Sequence, residues 1–370
     1  MKSRSVFISL VLLVLIISCK QTELQLFEPD DLQIHTAGRV DVLPQKPIVL
    51  IGAASSVSFV FSGNSCLIGL RAGANGANYN YVSLEVDGEY IDRYRIEGDS
   101  VQWLPAKAET LAKTHRVTVY KATEATVGDI EFVGVKAKKL EKLPELASLK
   151  IEFIGNSITC GMGVDTQEIP CGAGEWYDQH NAYWAYGPRL ARALNAQFML
   201  SSVSGIGVYR TWNMDEPSMP AVYENRYLNT DSTKRWDFVR FQPHIVSICL
   251  GTNDFSEGDT LHVRPPFSAD RFVLQYIRFV DKVCSYYPEA QIVLLTSPVF
   301  DETKNTLLVD CLQRVQENFN KRNPVKPIHL YEFRGIVAHG CTGHPDREDQ
   351  KQMAEQLLPL FTQLASLPKN

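Results

Sequence analysis

A serine, a glycine, an asparagine and a histidine stand at four points where an apolar run gives way to small or polar residues. They are Ser157 within 155–159 (GNSIT), Gly205 within 204–207 (SGIG), Asn253 within 251–254 (GTND) and His344 within 343–345 (GHP). Together these types suit acyl transfer. A serine hydroxyl attacks a carbonyl once a base takes its proton, and His344 is a base of the right kind. The oxyanion that forms needs donors already in place, and the Ser157 N–H at a helix start, the Gly205 N–H and the Asn253 amide offer three. Glycine at 205 also lets the backbone approach a substrate closely. Taken alone, each has a plainer use: Ser157 as a helix N-cap, Gly205 in a turn, Asn253 and Asp254 as an Asx turn or cap. The combination is what singles them out.

The elements that must position these residues follow from patterning. From 149 on, apolar strand runs at Leu149–Ile154, Gln197–Val203, His244–Leu250, Ala290–Thr296 and Ile328–Phe333 alternate with helical periodicity at Asn181–Asn195, Ala269–Tyr287, Leu307–Arg322 and Glu348–Leu367. That alternation predicts a parallel sheet covered by helices on both faces, a flavodoxin-like α/β/α domain over 149–370. In such sheets ligands bind beyond the carboxyl ends of the strands, and all four residues fall on that rim. Residues 45–138 read differently. Runs such as Val57–Phe61, Cys66–Leu70, Tyr81–Val86, Glu89–Ile96, His115–Lys121 and Ile130–Val135 alternate without helices, and Asp87-Gly88 marks a hairpin. A β-sandwich or jelly roll is expected there, with 19–44 as tether and lead-in and 139–148 as linker.

Residues 155–159, Gly205, 251–254 and His344 resemble the four sequence blocks of SGNH/GDSL hydrolases, over about residues 150–366. Asn156 before the nucleophile and the stretch 157–164 (SITCGMGV) resemble family two carbohydrate esterases, which also carry a jelly roll ahead of the SGNH domain. The resemblance implies an acetylxylan-esterase type of enzyme that deacetylates plant polysaccharides such as xylan and glucomannan through an acetyl-enzyme, with neither cofactor nor metal. It departs at one place. SGNH enzymes usually carry an Asp two or three residues before the histidine, where this chain has Thr342 and Cys341. Some members of the resembled family work with a Ser-His dyad, so a carbonyl of the 341–343 loop is expected to take the second ring proton of His344. Asp346 is the alternative, on the wrong side of the histidine. Rival readings are another SGNH esterase, lipase or thioesterase, or a carbohydrate-binding protein whose esterase site has decayed.

Trp176, Tyr177, Tyr209 and Trp212 lie in the loops after the first two strands of the parallel sheet, where sugar rings can stack on them. Trp212 is the favoured contact, with Tyr209 and Trp176 behind it. Glu168, Glu175 and Asp178 lack partner histidines at ligand spacing and read as a solvated loop rather than a metal site. His115 and His244, at strand edges, read as structural.

Charge and cysteines bound the setting. A net charge of −5 argues against a nucleic-acid partner. Residues 1–18 combine Lys2 and Arg4 with an apolar run, Phe7 to Ile17, too short to span a bilayer. The run ends at Ser18-Cys19, which resembles a lipoprotein processing site. Acylated Cys19 would then be the sole membrane attachment of an exported, monomeric protein of the bacterial cell envelope, its partner an acetylated polysaccharide or oligosaccharide. Cys249 and Cys284 read as small buried hydrophobes, whereas Cys160, Cys171 and Cys341 lie in loop-like contexts that can include one disulfide.

Overall fold

The chain is described by a computed structural model over residues 24–76, 79–110 and 112–367. The leader and Cys19 lie outside the described residues. The N-terminal part is a sandwich of two antiparallel sheets. One sheet runs Val40–Asp41, Ile48–Leu50, Gly128–Ala137, Ser65–Gly76, Gln102–Lys107, with Gln25–Phe27 also on Gly128–Ala137. The other runs Leu140–Glu141, Ser56–Ser62, Thr114–Lys121, Tyr79–Val86, Glu89–Glu97, with His35–Ala37 on Ser56–Ser62. Inward positions at every second residue, such as Val57, Phe59, Phe61, Val117, Val119, Ile130 and Phe132, fill the space between the sheets.

The sandwich reaches further than its clear alternation suggests. The expected lead-in 19–44 contributes three strands, and Leu140–Glu141 of the expected linker pairs with Ser56–Ser62. These pieces are two or three residues long, too short for a period of two to register, although Val40 and Leu140 are buried in the sandwich core and Phe27 packs against it.

The C-terminal part is a five-stranded parallel sheet ordered Gln197–Ser202, Lys150–Gly155, Ile245–Cys249, Gln291–Leu295, His329–Tyr331. The order reverses at Lys150–Gly155, so the crevice opens between the ends of that strand and Ile245–Cys249. Helices Ala269–Tyr286 and Glu302–Arg322 cover one face through Phe272, Tyr276, Leu312 and Val315. Tyr186–Ala193 and Arg347–Ala365 cover the other through Leu190, Met353, Leu357 and Phe361. The helix expected over 181–195 is split. Ala182–Trp184 forms a 3₁₀ turn, Ala185 is extended, and Pro188, lacking an N–H, fits only the first turn of the helix that follows.

The two parts share buried polar contacts. Arg39, from the lead-in, enters the parallel-sheet domain. Its guanidinium donates to Ser201 Oγ (3.1 and 3.2 Å), to Tyr223 O (2.9 Å) and to Asn225 O (3.0 Å). Ser201 Oγ in turn donates to the Glu152 carboxylate at 2.5 Å. Burial pulls the Arg39 guanidinium down and pushes the Glu152 carboxyl up, and the mutual attraction of the two opposes both shifts. From the other sheet, Arg93 donates to the carbonyls of Asp178 (2.5 Å) and His180 (2.9 Å), and Ser83 Oγ donates to Asn181 Oδ1 at 2.8 Å.

Removing one partner of such a buried network leaves the other uncompensated. Arg39→Ala should lower unfolding stability by about 3–5 kcal/mol in urea denaturation. A loss under about 1 kcal/mol, the range of exposed ion pairs, would contradict this reading.

Candidate active site

The strand Lys150–Gly155 ends where Gly155 must lack a side chain, because a Cβ there would lie 2.0 Å from Thr159 Oγ1 and 3.2 Å from Cys249 O. The chain then turns into the short helix Ser157–Cys160. Asn156 is its N-cap, its side-chain oxygen accepting from Ile158 N at 3.0 Å, and Gly161 closes it with φ of 77°. Ser157 thus stands at the first helical position. Its Oγ lies 2.8 Å from His344 Nε2.

The loop that carries His344 is closed by its own backbone. Gly340 N donates to His344 O at 2.8 Å, and Cys341 N donates to Gly163 O at 3.2 Å. The Cys171–Cys341 disulfide ties this loop to the one after the Ser157 helix. With Nε2 accepting from the Ser157 hydroxyl, Nδ1 carries the ring hydrogen, and it faces Cys341 O at 3.1 Å and Thr342 Oγ1 at 3.0 Å. The Thr342 hydroxyl spends its hydrogen on Cys341 O at 2.7 Å, leaving it an acceptor toward the ring. A carbonyl thus stands where a triad would hold a carboxylate. Asp346 is engaged elsewhere: it caps the helix Arg347–Ala365, accepting from Glu348 N (2.9 Å) and Asp349 N (3.0 Å). Asp349 likewise accepts from His339 and from Asp346 N. Hydrogen bonding thus accounts for the His339, Asp346 and Asp349 group, the cluster of potential metal-ligand atoms among the described residues.

Gly205 and Asn253 share a cleft of about 490 Å³ with Ser157 and His344. Asn253 donates one amide hydrogen to Ile206 O at 2.8 Å, which leaves the second for a ligand. Asp254 beside it clamps the loop after Gly205, accepting from Val208 N (2.9 Å) and Tyr209 N (2.9 Å), and burial pushes its carboxyl up to about 7 against those donors. The pair is thus a tie between two strand ends rather than a local Asx turn. Trp212 and Trp176, roughly half exposed, line the cleft. A Cβ on Gly205 would meet Trp212 Cδ1 at 2.7 Å.

Four expectations need correction. Tyr209 does not line the cleft: Asp254 holds its N–H, and its ring turns into the core against Phe267, with its hydroxyl accepting from Ser268 N at 3.2 Å. Tyr177 is buried against Tyr79 from the sandwich. Asp178 is buried rather than solvated, accepting from Tyr79 OH (3.0 Å) and Tyr81 OH (3.1 Å). Cys284 is half-buried, while Cys249 is buried, and Cys160 is a buried free thiol. The opposite error concerns Glu124. This residue of the sandwich lines the cleft and accepts from Ser204 N at 2.9 Å, and Thr126 lines the cleft with it. No local pattern in the sequence marks either one.

Two family profiles match the chain. The GDSL-like lipase/acylhydrolase family matches residues 153–326, which stops short of His344, and the carbohydrate esterase 2 N-terminal domain matches residues 36–146. An acetylxylan esterase / glucomannan deacetylase of Cellvibrio japonicus is 28% identical over 260 residues, which are 68% of this chain and 67% of that protein. The cellulase/esterase CelE of Acetivibrio thermocellus is 28% identical over 319 residues, 82% of this chain, but the chain spans only 36% of that longer protein. A family two carbohydrate esterase from Clostridium thermocellum, solved with cellohexaose, superposes with a TM-score of 0.79 at 26% identity, covering 90% of this chain and 100% of that one.

Burial lowers the His344 pKa from its ordinary 6.5, and the backbone acceptors behind the ring oppose that shift. Only the neutral imidazole accepts a proton, so kcat/KM should rise with pH through a midpoint below 6.5 and then level off. A pH–rate profile with its midpoint above about 7, as a buried carboxylate partner would produce, would contradict this geometry.

Proposed function

We propose that the chain is a carboxylic ester hydrolase of the SGNH/GDSL type, most like the family two carbohydrate esterases, and that it removes O-acetyl groups from plant polysaccharides such as xylan and glucomannan. The observation that carries this reading is the 2.8 Å contact between Ser157 Oγ and His344 Nε2 in a cleft shared with Gly205, Asn253 and two tryptophans.

In this reading His344 takes the Ser157 proton as Oγ bonds to the acetyl carbon, and the carbonyl electron pair moves onto oxygen. The N–H groups of Ser157 and Gly205 and the free hydrogen of the Asn253 amide receive that negative charge. His344 then returns the proton to the departing sugar oxygen, leaving an acetyl-serine. Water, deprotonated by the same ring, attacks the acetyl-serine, and acetate leaves as Ser157 regains its proton. Cys341 O keeps the imidazole in the required tautomer throughout. Trp176 and Trp212 flank the opening as apolar faces on which sugar rings stack, which favours a sugar ester over a fatty acyl chain.

The same proposal places the protein outside the cytoplasm, as a monomer attached to the bacterial envelope by acylated Cys19. The Cys171–Cys341 disulfide supports an oxidising compartment.

Acetate release should be fastest from acetylated xylan or glucomannan in a panel that also holds acyl-CoA and lipid esters. A preference for acyl-CoA or long-chain esters would point to a thioesterase or lipase, and no turnover of any ester to a binding protein. Metabolic labelling with a fatty-acid analogue should mark the wild type and not Cys19→Ser; equal labelling of the two would sink the anchor.

A further inference from the structure

We infer that Glu124, supplied by the β-sandwich, is a positioning residue for catalysis: its carboxylate fixes the Ser204–Gly205 turn that carries the Gly205 oxyanion donor. This rests on the Ser157-His344 reading above and assigns the sandwich a part in the chemistry.

Glu124 follows the strand Thr114–Lys121 and is fully buried, yet it lines the cleft. One carboxylate oxygen accepts both the backbone N–H of Ser204, at 2.9 Å, and the Ser204 hydroxyl. The other accepts the Thr126 hydroxyl. Charge-assisted bonds of this kind are roughly twice as strong as neutral ones, and here they end on the residue before Gly205. Gly205 has φ of 75° and its carbonyl accepts from Trp212 N at 2.9 Å, so a shift of this turn moves an oxyanion donor and a cleft wall together.

A carboxylate near a developing oxyanion should repel it, and burying one without compensation is costly. The sandwich supplies the counter-charge. Lys121, also buried, lies beneath the same segment, its amine donating to Glu124 O (2.6 Å), Thr123 Oγ1 (3.1 Å) and Thr123 O (3.2 Å). Burial pushes that amine down to about 7, and the charges of Glu124 and Asp129 pull it back up. Three acceptors around it match the three hydrogens of an ammonium. Glu124 also raises the pKa of Cys160, which burial already pushes up, at the end of the Ser157 helix.

The test uses the full chain and reads kcat, KM and melting temperature on one acetylated substrate. Glu124→Ala should lower kcat about 10- to 100-fold with KM changed less than about twofold, since the donor it positions acts in the transition state. Glu124→Gln keeps an acceptor oxygen and should restore kcat to within about fivefold of wild type. An unchanged kcat in Glu124→Ala, a loss confined to KM or to stability, or no recovery with glutamine would overturn the inference. If the alanine variant does not fold, Glu124→Asp serves. It keeps the charge but is one methylene short of Ser204, so a lowered kcat supports positioning and an unchanged one overturns it. Ser157→Ala separates the two levels: activity surviving in it defeats the Ser-His reading itself, whereas activity lost in it but not in Glu124→Ala defeats only the role of Glu124.

Discussion

Ser157 Oγ and His344 Nε2 meet at 2.8 Å across 187 positions of chain. Neither end is placed by its own neighbours alone. Ser157 is set by the end of a central strand buried on both faces, where Gly155 admits the turn and Asn156 caps it. His344 is set by a loop that is hydrogen-bonded across itself, tied by a disulfide and followed by the capped helix Arg347–Ala365. Proton transfer tolerates little misplacement, and a shift of about 1 Å can cost about 100-fold in rate. Much of the sheet and its covering helices can be understood as the frame that holds this one distance.

The His344 ring faces a backbone carbonyl, Cys341 O, and the Thr342 hydroxyl rather than a carboxylate. A carboxylate would fix the tautomer and also stabilise the imidazolium by a full charge. Cys341 O fixes the tautomer but supplies only a dipole, so the ring's pKa falls with burial instead of rising. A lower pKa keeps the base neutral over a wider pH range, at the cost of weaker proton affinity. On the sandwich side, buried Glu124 lines the cleft, with the buried Lys121 amine against its backbone carbonyl. There the Glu124 carboxylate contacts Ser204, beside Gly205, rather than the His344 ring.

What the sequence shows and what it hides divide along the range of the interactions. Ser157, Gly205, Asn253 and His344 can be found because each follows an apolar strand run, and parallel-sheet topology brings such ends to one rim. The absent Asp is legible as Thr342 and Cys341. Arg39 and Glu124 are different. They lie in stretches without periodic pattern, and their importance comes from contacts with Ser201 and Ser204, more than 75 positions away. Tyr209 errs the other way. Its place in a rim loop suggests a sugar contact, but the Asp254 clamp turns it inward.

The central claim is that His344 activates Ser157 with a backbone carbonyl in the place of an acid. Its most direct measurement compares kcat/KM for His344→Ala and Asp346→Ala on an acetylated sugar, with folding checked by circular dichroism. His344→Ala should remove nearly all activity. Asp346→Ala should keep most of it, losing about 1 kcal/mol of stability as a helix cap. A folded Asp346→Ala as inactive as His344→Ala would show that a carboxylate supports the histidine after all.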